Sequence, residues 1–187
     1  IVCNSHNAKG MWEKYHPKYK DKLSVIYNPV ILPEITSKYT PKQNGKLHVV
    51  VAASYQYLKN PIGLINALAL MDEEEREKIE VNWYGRAEVA NGDTRAYDEA
   101  AGLIKEYNLH DVINLNEPTK DIANRMNEAD VIALFSELEG LPNAICEGMM
   151  LGKPIVMTKV SDYGNLIDGS NGFLCDWNKP ASIKDAL

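Results

Sequence analysis

Apolar residues arrive in short bursts along most of this 187-residue chain. From residue 47 onward, runs rich in Val, Ile and Leu recur at Leu47–Ala53, Val81–Tyr84, Val112–Leu115, Val131–Phe135, Ile155–Thr158 and Gly172–Cys175. Each is short and shows little alternation with polar residues, which predicts strands covered on both faces. Helical patterns separate them near Pro61–Met71, Thr94–Tyr107, Thr119–Glu128 and Pro142–Leu151. The first of these sets Leu64, Leu68 and Met71 on one face with Ile65 beside them. Strand–helix alternation of this kind predicts an α/β fold, a doubly wound, Rossmann-like parallel sheet. The charged run Asp72–Glu80 reads as a solvated helix end or connector.

The first 46 residues follow another pattern. Ile1–Asn4 predicts a strand, Lys9–Tyr19 a polar and aromatic helix, and Ser24–Val30 an extended segment. Residues 31–46 are broken by Pro33, Pro41, Asn44 and Gly45 and read as a linker. The expected organisation is therefore a leading piece over 1–30, a linker over 31–46 and a Rossmann-like domain over 47–187.

Composition narrows the function. A net charge of −6 and a pI near 5.3 argue against a nucleic-acid binder, which presents a basic face. No apolar run approaches the ~20 residues that cross a bilayer, and no signal peptide is visible. Three scattered cysteines, Cys3, Cys146 and Cys175, and four histidines without ligand spacing give no metal signature. They fit a reduced, cytoplasmic setting. The chain opens at Ile1 and stops at Leu187 within a helical pattern, so it reads as an excised fragment, truncated at its C-terminus.

In an open parallel sheet, ligands bind beyond the carboxyl ends of the strands, where strand order reverses. The first long strand ends at Ala53-Ser54-Tyr55, with Lys59 shortly after. The next three end at Tyr84-Gly85-Arg86, at Asn116-Glu117-Pro118 and at Ser136–Asn143. These loops are expected to share one rim carrying two cations (Lys59, Arg86), two carboxylates (Glu117, Glu139), a helix start and a flexible glycine. Such a set suits a sugar nucleotide: cations for a diphosphate, carboxylates for hydroxyls, backbone groups for a base.

The most informative stretch is Ser136–Met157. Glu139 lies in the loop after an apolar strand, and Glu147 lies in the following helix among Ala144, Ile145, Cys146, Met149 and Met150. An unpaired charge in such surroundings is costly. Pro142 suits the first turn of that helix, and Gly152 is placed to end it before Lys153-Pro154. This block resembles the signature of retaining GT-B glycosyltransferases of group 1, the glycogen-synthase and sucrose-synthase-like class. Ser24–Val30 resembles the junction at which the first GT-B domain enters the second, with Pro29 where glycine is usual.

The resemblance covers most of residues 24–187 and implies the C-terminal, donor-binding half of a GT-B fold with a remnant of the acceptor domain. It implies that Lys59 contacts the diphosphate, that Glu147 accepts hydrogen bonds from the ribose hydroxyls and that Glu139 lies near the transferred sugar. Gly140, Leu141 and Asn143 offer backbone N–H groups to hydroxyls or phosphate; Pro142, between them, has none. The chain also departs from the family. Ser54 stands where an arginine is usual, Gly85 lacks the second glycine of a Gly-x-Gly, Asn116-Glu117 replaces a loop that begins with glycine and faces the base, and Asn165 replaces a glutamate. Arg86, from the neighbouring loop, is expected to compensate in part for Ser54.

Taken together, the expected function is sugar transfer with retention from a UDP- or GDP-linked donor, catalysed with Glu139 and Lys59 and without a cofactor or metal. The acceptor, a saccharide or lipid-linked molecule of polysaccharide or glycolipid synthesis, is expected to sit mainly on the N-terminal domain. The fragment alone is expected to be inactive, and the full-length protein to be cytoplasmic, with peripheral membrane association left open. A nicotinamide enzyme is disfavoured because Ala52–Gln56 lacks the glycine fingerprint. A sugar-nucleotide epimerase and a non-catalytic binding module stay open as alternatives.

Overall fold

The computed structural model describes residues 1–41 and 45–187. The chain opens with a small β–α–β piece: β1 (Val2–Cys3), α1 (His6–Tyr15) and β2 (Ser24–Val25). The two strands pair in parallel, Val2 opposite Ser24 and Cys3 opposite Val25. Helix α1 begins earlier than expected because Ser5 caps it, its hydroxyl accepting from the Ala8 N–H at 3.0 Å. It stops at Tyr15 because Pro17 disfavours helical backbone at His16, and a 3₁₀ turn, Pro17–Lys22, replaces the expected last turn.

The main sheet holds β3 (Leu47–Ala52), β4 (Ile79–Tyr84), β5 (Ile113–Asn116), β6 (Val131–Leu134), β7 (Ile155–Thr158) and β8 (Gly172–Cys175). All neighbours are parallel, in the order β5-β4-β3-β6-β7-β8. Around it lie α2 (Pro61–Ala69), α3 (Glu73–Glu77), α4 (Arg95–Glu106), α5 (Ile122–Glu128), α6 (Asn143–Met150), α7 (Tyr163–Leu166) and α8 (Pro180–Ala186).

Strand β3 explains why the valine run is unbroken. Val49 and Val51 face a core with Leu64, Leu68, Trp83 and Ile183, while Val50 faces another with Met126, Ile132, Ile145 and Met157. Each such fully buried side chain contributes roughly 1.5–3 kcal/mol. Helix α2 packs between α4 and α8 over the first core. Strand β4 corrects the expectation of two covered faces. Ile79, Val81 and Trp83 are buried, but Glu80, Asn82 and Tyr84 are only half-buried, because the second face is incompletely covered towards this end of the sheet.

Smaller differences have local causes. The charged run forms its own short helix, α3, with Asp72 and Glu75 joined in a capping box. Pro142 sits just before α6 and not in its first turn, while Gly152, at φ +68°, does end that helix. The described part of residues 31–46 has no helix or strand before β3, yet it is tied down. Tyr39 Oη donates to Asp130 Oδ1 at 2.6 Å, and the Thr36 and Ser37 N–H groups donate to Asn124 Oδ1 at 3.0 Å. Asn44, one of the expected breaks, lies outside the described residues. Among the described residues no helix is long and apolar enough to cross a membrane.

From β3 the chain builds outward through β4 and β5, then returns to lay β6 on the other side of β3. The strand order therefore reverses between β3 and β6, and the crevice at their carboxyl ends is where this topology places a ligand.

Candidate functional site

The loops after β3, β4 and β5 are fastened to one another by backbone and two aromatic side chains. The Ala53 N–H donates to Tyr84 O at 3.1 Å, Gly85 to Asn116 O at 3.1 Å, and Tyr55 to Arg86 O at 3.0 Å. Tyr55 is buried beneath them, its single hydroxyl proton shared between two carbonyl acceptors, Trp83 O at 2.9 Å and Asn116 O at 3.1 Å; burial drives its phenol well above the ordinary value. The Trp83 indole donates to Ala53 O at 2.6 Å. Gly85 is required by this closeness, since a Cβ there would lie 1.9 Å from Ala53 O.

Above this framework lies a cleft of about 800 Å³, lined by Ser54, Gln56, Arg86, Glu88, Thr94 and Glu117 among others. Three of the expected site residues, Ser54, Arg86 and Glu117, thus share one cavity. The Ser54 hydroxyl accepts from Gln56 Nε2 at 2.8 Å, so the position expected to lack an arginine presents an amide–hydroxyl pair. Asn116 contributes backbone to the framework, while its side chain donates towards Asn82 Oδ1 at 3.4 Å and Asn114 O at 3.3 Å.

The second half of the site sits at the β3/β6 crevice. Tyr57–Lys59 is a single 3₁₀ turn, ended by Asn60 in the left-handed region at φ 63°. Asn60 then caps α2 by accepting from the Gly63 N–H at 3.1 Å. Between these fixed points, Lys59 Nζ meets Glu139 Oε1 at 2.5 Å. The same oxygen accepts from the Ser136 hydroxyl at 2.7 Å. The pair is largely withdrawn from solvent, with the side chains 22% and 12% exposed. Glu137 N–H donates to Leu58 O at 2.9 Å, and Thr158 Oγ1 to Ser136 O at 2.6 Å, so both loops are anchored on either side of the pair.

After Glu139 the chain runs through Gly140, the buried Leu141 and Pro142 into α6. Among the described residues no side chain caps the start of α6, which leaves the Asn143 and Ala144 N–H groups for solvent or a ligand. Within α6, Ile145 and Gly148 pack inward, and a Cβ on Gly148 would press on Ile132 at 3.0 Å. Glu147 shares the Asn143 side of the helix, one turn further in. It is half-buried, and among the described residues its carboxylate has no hydrogen-bonding or ionic partner. Burial pushes its pKa above the ordinary 4.5.

The expected residues thus fall into two adjoining groups, a cleft with Ser54, Arg86 and Glu117 and a crevice with Lys59, Glu139 and the loop leading to α6. Pattern reading missed Ser136, Gln56 and the Tyr55–Trp83 framework. Ser136, the first polar residue after an apolar strand, carried a signal; the aromatic framework depends on contacts between distant loops and carried none. Among the described residues, no three His, Cys, Asp or Glu side chains are grouped to hold a metal ion.

The chain belongs to a family of glycosyltransferases: the model for glycosyl transferases group 1 matches residues 46–187. It is 28% identical over 177 residues to a D-inositol 3-phosphate glycosyltransferase of Arthrobacter sp. (strain FB24), covering 89% of this chain and 41% of that protein. It is 32% identical over 189 residues to the Vi polysaccharide biosynthesis protein VipC/TviE of Salmonella typhi, covering 94% of this chain and 30% of that protein. The chain therefore spans less than half the length of these relatives. Its fold is that of Anabaena Alr3699/HepE, solved with UDP-glucose, at a TM-score of 0.82 and 21% identity over 99% of this chain and 52% of that one. WaaG, a glycosyltransferase of lipopolysaccharide biosynthesis, matches at a TM-score of 0.78 and 16% identity over 100% of this chain and 52% of that one. Nothing in these likenesses supports the epimerase alternative.

Proposed function

We propose that this chain is the donor-binding half of a retaining glycosyltransferase that takes a nucleoside-diphosphate sugar. The observation that carries the reading is the Lys59–Glu139 pair at the reversal point of the sheet, beside an uncapped helix start and an open polar cleft. Lys59, Arg86 and the start of α6 supply positive potential for a diphosphate. Glu147, an ionisable group without a partner among the described residues, is suited to two hydroxyls of a ribose. Gln56 and Glu117 offer polar groups to a base in the cleft.

The chemistry follows from charge. As the bond from the sugar C1 to the diphosphate lengthens, negative charge grows on the leaving oxygens and positive charge at C1. Lys59 turns towards the leaving group and stabilises it electrostatically, a contribution that often dominates catalysis. Glu139, held by Ser136, then faces the sugar with its carboxylate free to accept from hydroxyls. In this reading the acceptor, a saccharide or lipid-linked molecule, occupies the facing domain, the diphosphate needs no divalent ion, and the full-length protein works in the cytoplasm, at or near its membrane.

The test is to incubate the full-length protein with UDP- and GDP-sugars and candidate saccharide or lipid acceptors, and to read product and anomeric configuration by NMR. Transfer with retention of the donor's configuration is expected, and inversion contradicts the mechanism. Ser54 favours a second reading, a binding module without transfer, which tight donor binding with no product would support.

A further inference from the structure

Asn4 and Asn28 approach the Gly140–Asn143 stretch, and His6, Asn7 and Tyr27 converge on a corner after β7, Ser161–Asp162. Asp162 Oδ2 accepts from the His6 N–H and from Tyr27 Oη, each at 2.7 Å, and Oδ1 accepts from the Asn7 N–H at 2.8 Å. The next N–H of α1, at Ala8, is taken by Ser5. Asp162 thus caps the start of α1 from 155 residues away. Ser161 holds a left-handed backbone at φ 56°, uncommon for a residue with a side chain, and its hydroxyl donates to the Gly140 carbonyl. On the other side of Gly140 lies Asn4, so close that a Cβ on the glycine would be 2.7 Å from Asn4 Oδ1. Asn28 Nδ2 reaches Asn143 Oδ1 at 3.4 Å.

We propose that Asp162 is a positioning residue of the donor site: it docks the start of α1 and Tyr27 onto the corner that braces Gly140, and so closes one wall of the pocket for the transferred sugar. The inference rests on the donor-site reading above. Its physical basis is the count of donors. Three converge on one carboxylate, two of them helix-start N–H groups that favour a negative charge. The Gly140 carbonyl, one residue from Glu139, is gripped by the neighbour of that carboxylate. Freeing the corner frees the backbone on which Glu139 sits.

An asparagine is the informative replacement because it keeps the shape. Wherever its NH₂ is placed, it faces a backbone N–H: Asn7 if it takes the Oδ1 position, His6 if it takes Oδ2. In the full-length protein, Asp162→Asn is expected to lower kcat for sugar transfer at least about tenfold, the worth of one charge-assisted hydrogen bond. Nucleoside-diphosphate affinity, measured by calorimetry with the free diphosphate, is expected to stay within about twofold, because the diphosphate meets Lys59 and α6 and not this wall. The share of donor lost to water is expected to rise as the wall opens. Tyr27→Phe removes one donor of three and is expected to shift the same readings less.

Unchanged kcat and unchanged hydrolysis in both variants overturn the proposal. So does an equal fall in kcat and diphosphate affinity, which marks a fold-wide role. Hydrogen exchange at the Gly140 and Leu141 amides gives a readout that needs no activity. Exchange faster in Asp162→Asn than in the wild type is expected, and unchanged exchange overturns the docking role. If the wild type transfers no sugar while exchange still responds to Asp162, the donor-site reading fails and the docking role stands.

Discussion

Lys59 and Glu139, 80 residues apart in sequence, meet at 2.5 Å across the point where the strand order of the sheet reverses. Each neutralises the other in a largely desolvated crevice, so under the proposed function a diphosphate competes with Glu139 for the ammonium group. Lys59→Met is expected to lower kcat about 10²–10³-fold through lost leaving-group stabilisation. It also leaves Glu139 buried and unpaired, costing about 2 kcal/mol of stability after allowance for partial exposure. Adding Glu139→Gln to Lys59→Met is expected to restore most of that stability and none of the activity. Denaturant unfolding and steady-state kinetics on the four proteins of the cycle separate the two effects.

Glu147 is expected to trade stability against binding. Its folded pKa is raised by burial, so the ionised form weakens the fold. In the wild type this makes stability fall as pH rises from the ordinary 4.5 through the higher folded value. Glu147→Gln is expected to stabilise the ligand-free protein at neutral pH by about 0.5–1 kcal/mol while weakening nucleoside-diphosphate binding at least about tenfold. Thermal melts with and without nucleoside diphosphate test both halves: the variant melts higher when empty and gains less on adding ligand.

Ser54 leaves the cleft with one guanidinium, that of Arg86. If Arg86 carries the phosphate contact that an arginine at 54 would make, Arg86→Ala weakens nucleoside-diphosphate affinity by at least about tenfold. Ser54→Arg is expected to recover part of that loss in the double variant. Calorimetry on the single and double variants tests this, and unchanged affinity in Arg86→Ala would remove Arg86 from the site.

Acid should loosen the corner after β7. Burial alone would raise the Asp162 pKa, but the hydrogen bonds from Tyr27, His6 and Asn7 together hold it below 3.8. Lys159 and Lys179 hold Asp176 down to about 2. For both groups the folded value lies below the unfolded one, so their stabilisation is complete above pH 3.8 and is lost as pH falls through the folded values. Asp162→Asn is expected to flatten the acid limb of a stability–pH curve measured by urea unfolding, and an unaltered limb would contradict this.

Much of the fold was legible because the central strands β3, β6 and β7 are buried on both faces and therefore read as unbroken apolar runs. Gly152 and the Lys153-Pro154 step marked the end of α6 directly. The start of α1 was misplaced because its cap is divided between Ser5, which is local, and Asp162, which is not. The half-open face of β4 was also hidden, since Glu80, Asn82 and Tyr84 alternate with buried residues only when the strand is read from Ile79. That Lys59 and Glu139 lie in the loops after β3 and β6 was legible from strand-end position. Their direct pairing was not, because it depends on how closely two loops approach.

A crystal structure of the full-length protein with a nucleoside diphosphate tests the proposed donor site as a whole. The diphosphate is expected within hydrogen-bonding distance of Lys59 Nζ, at the start of α6, with both ribose hydroxyls on Glu147. A diphosphate bound elsewhere, with the Lys59–Glu139 pair unaltered and Glu147 still without a partner, would contradict it.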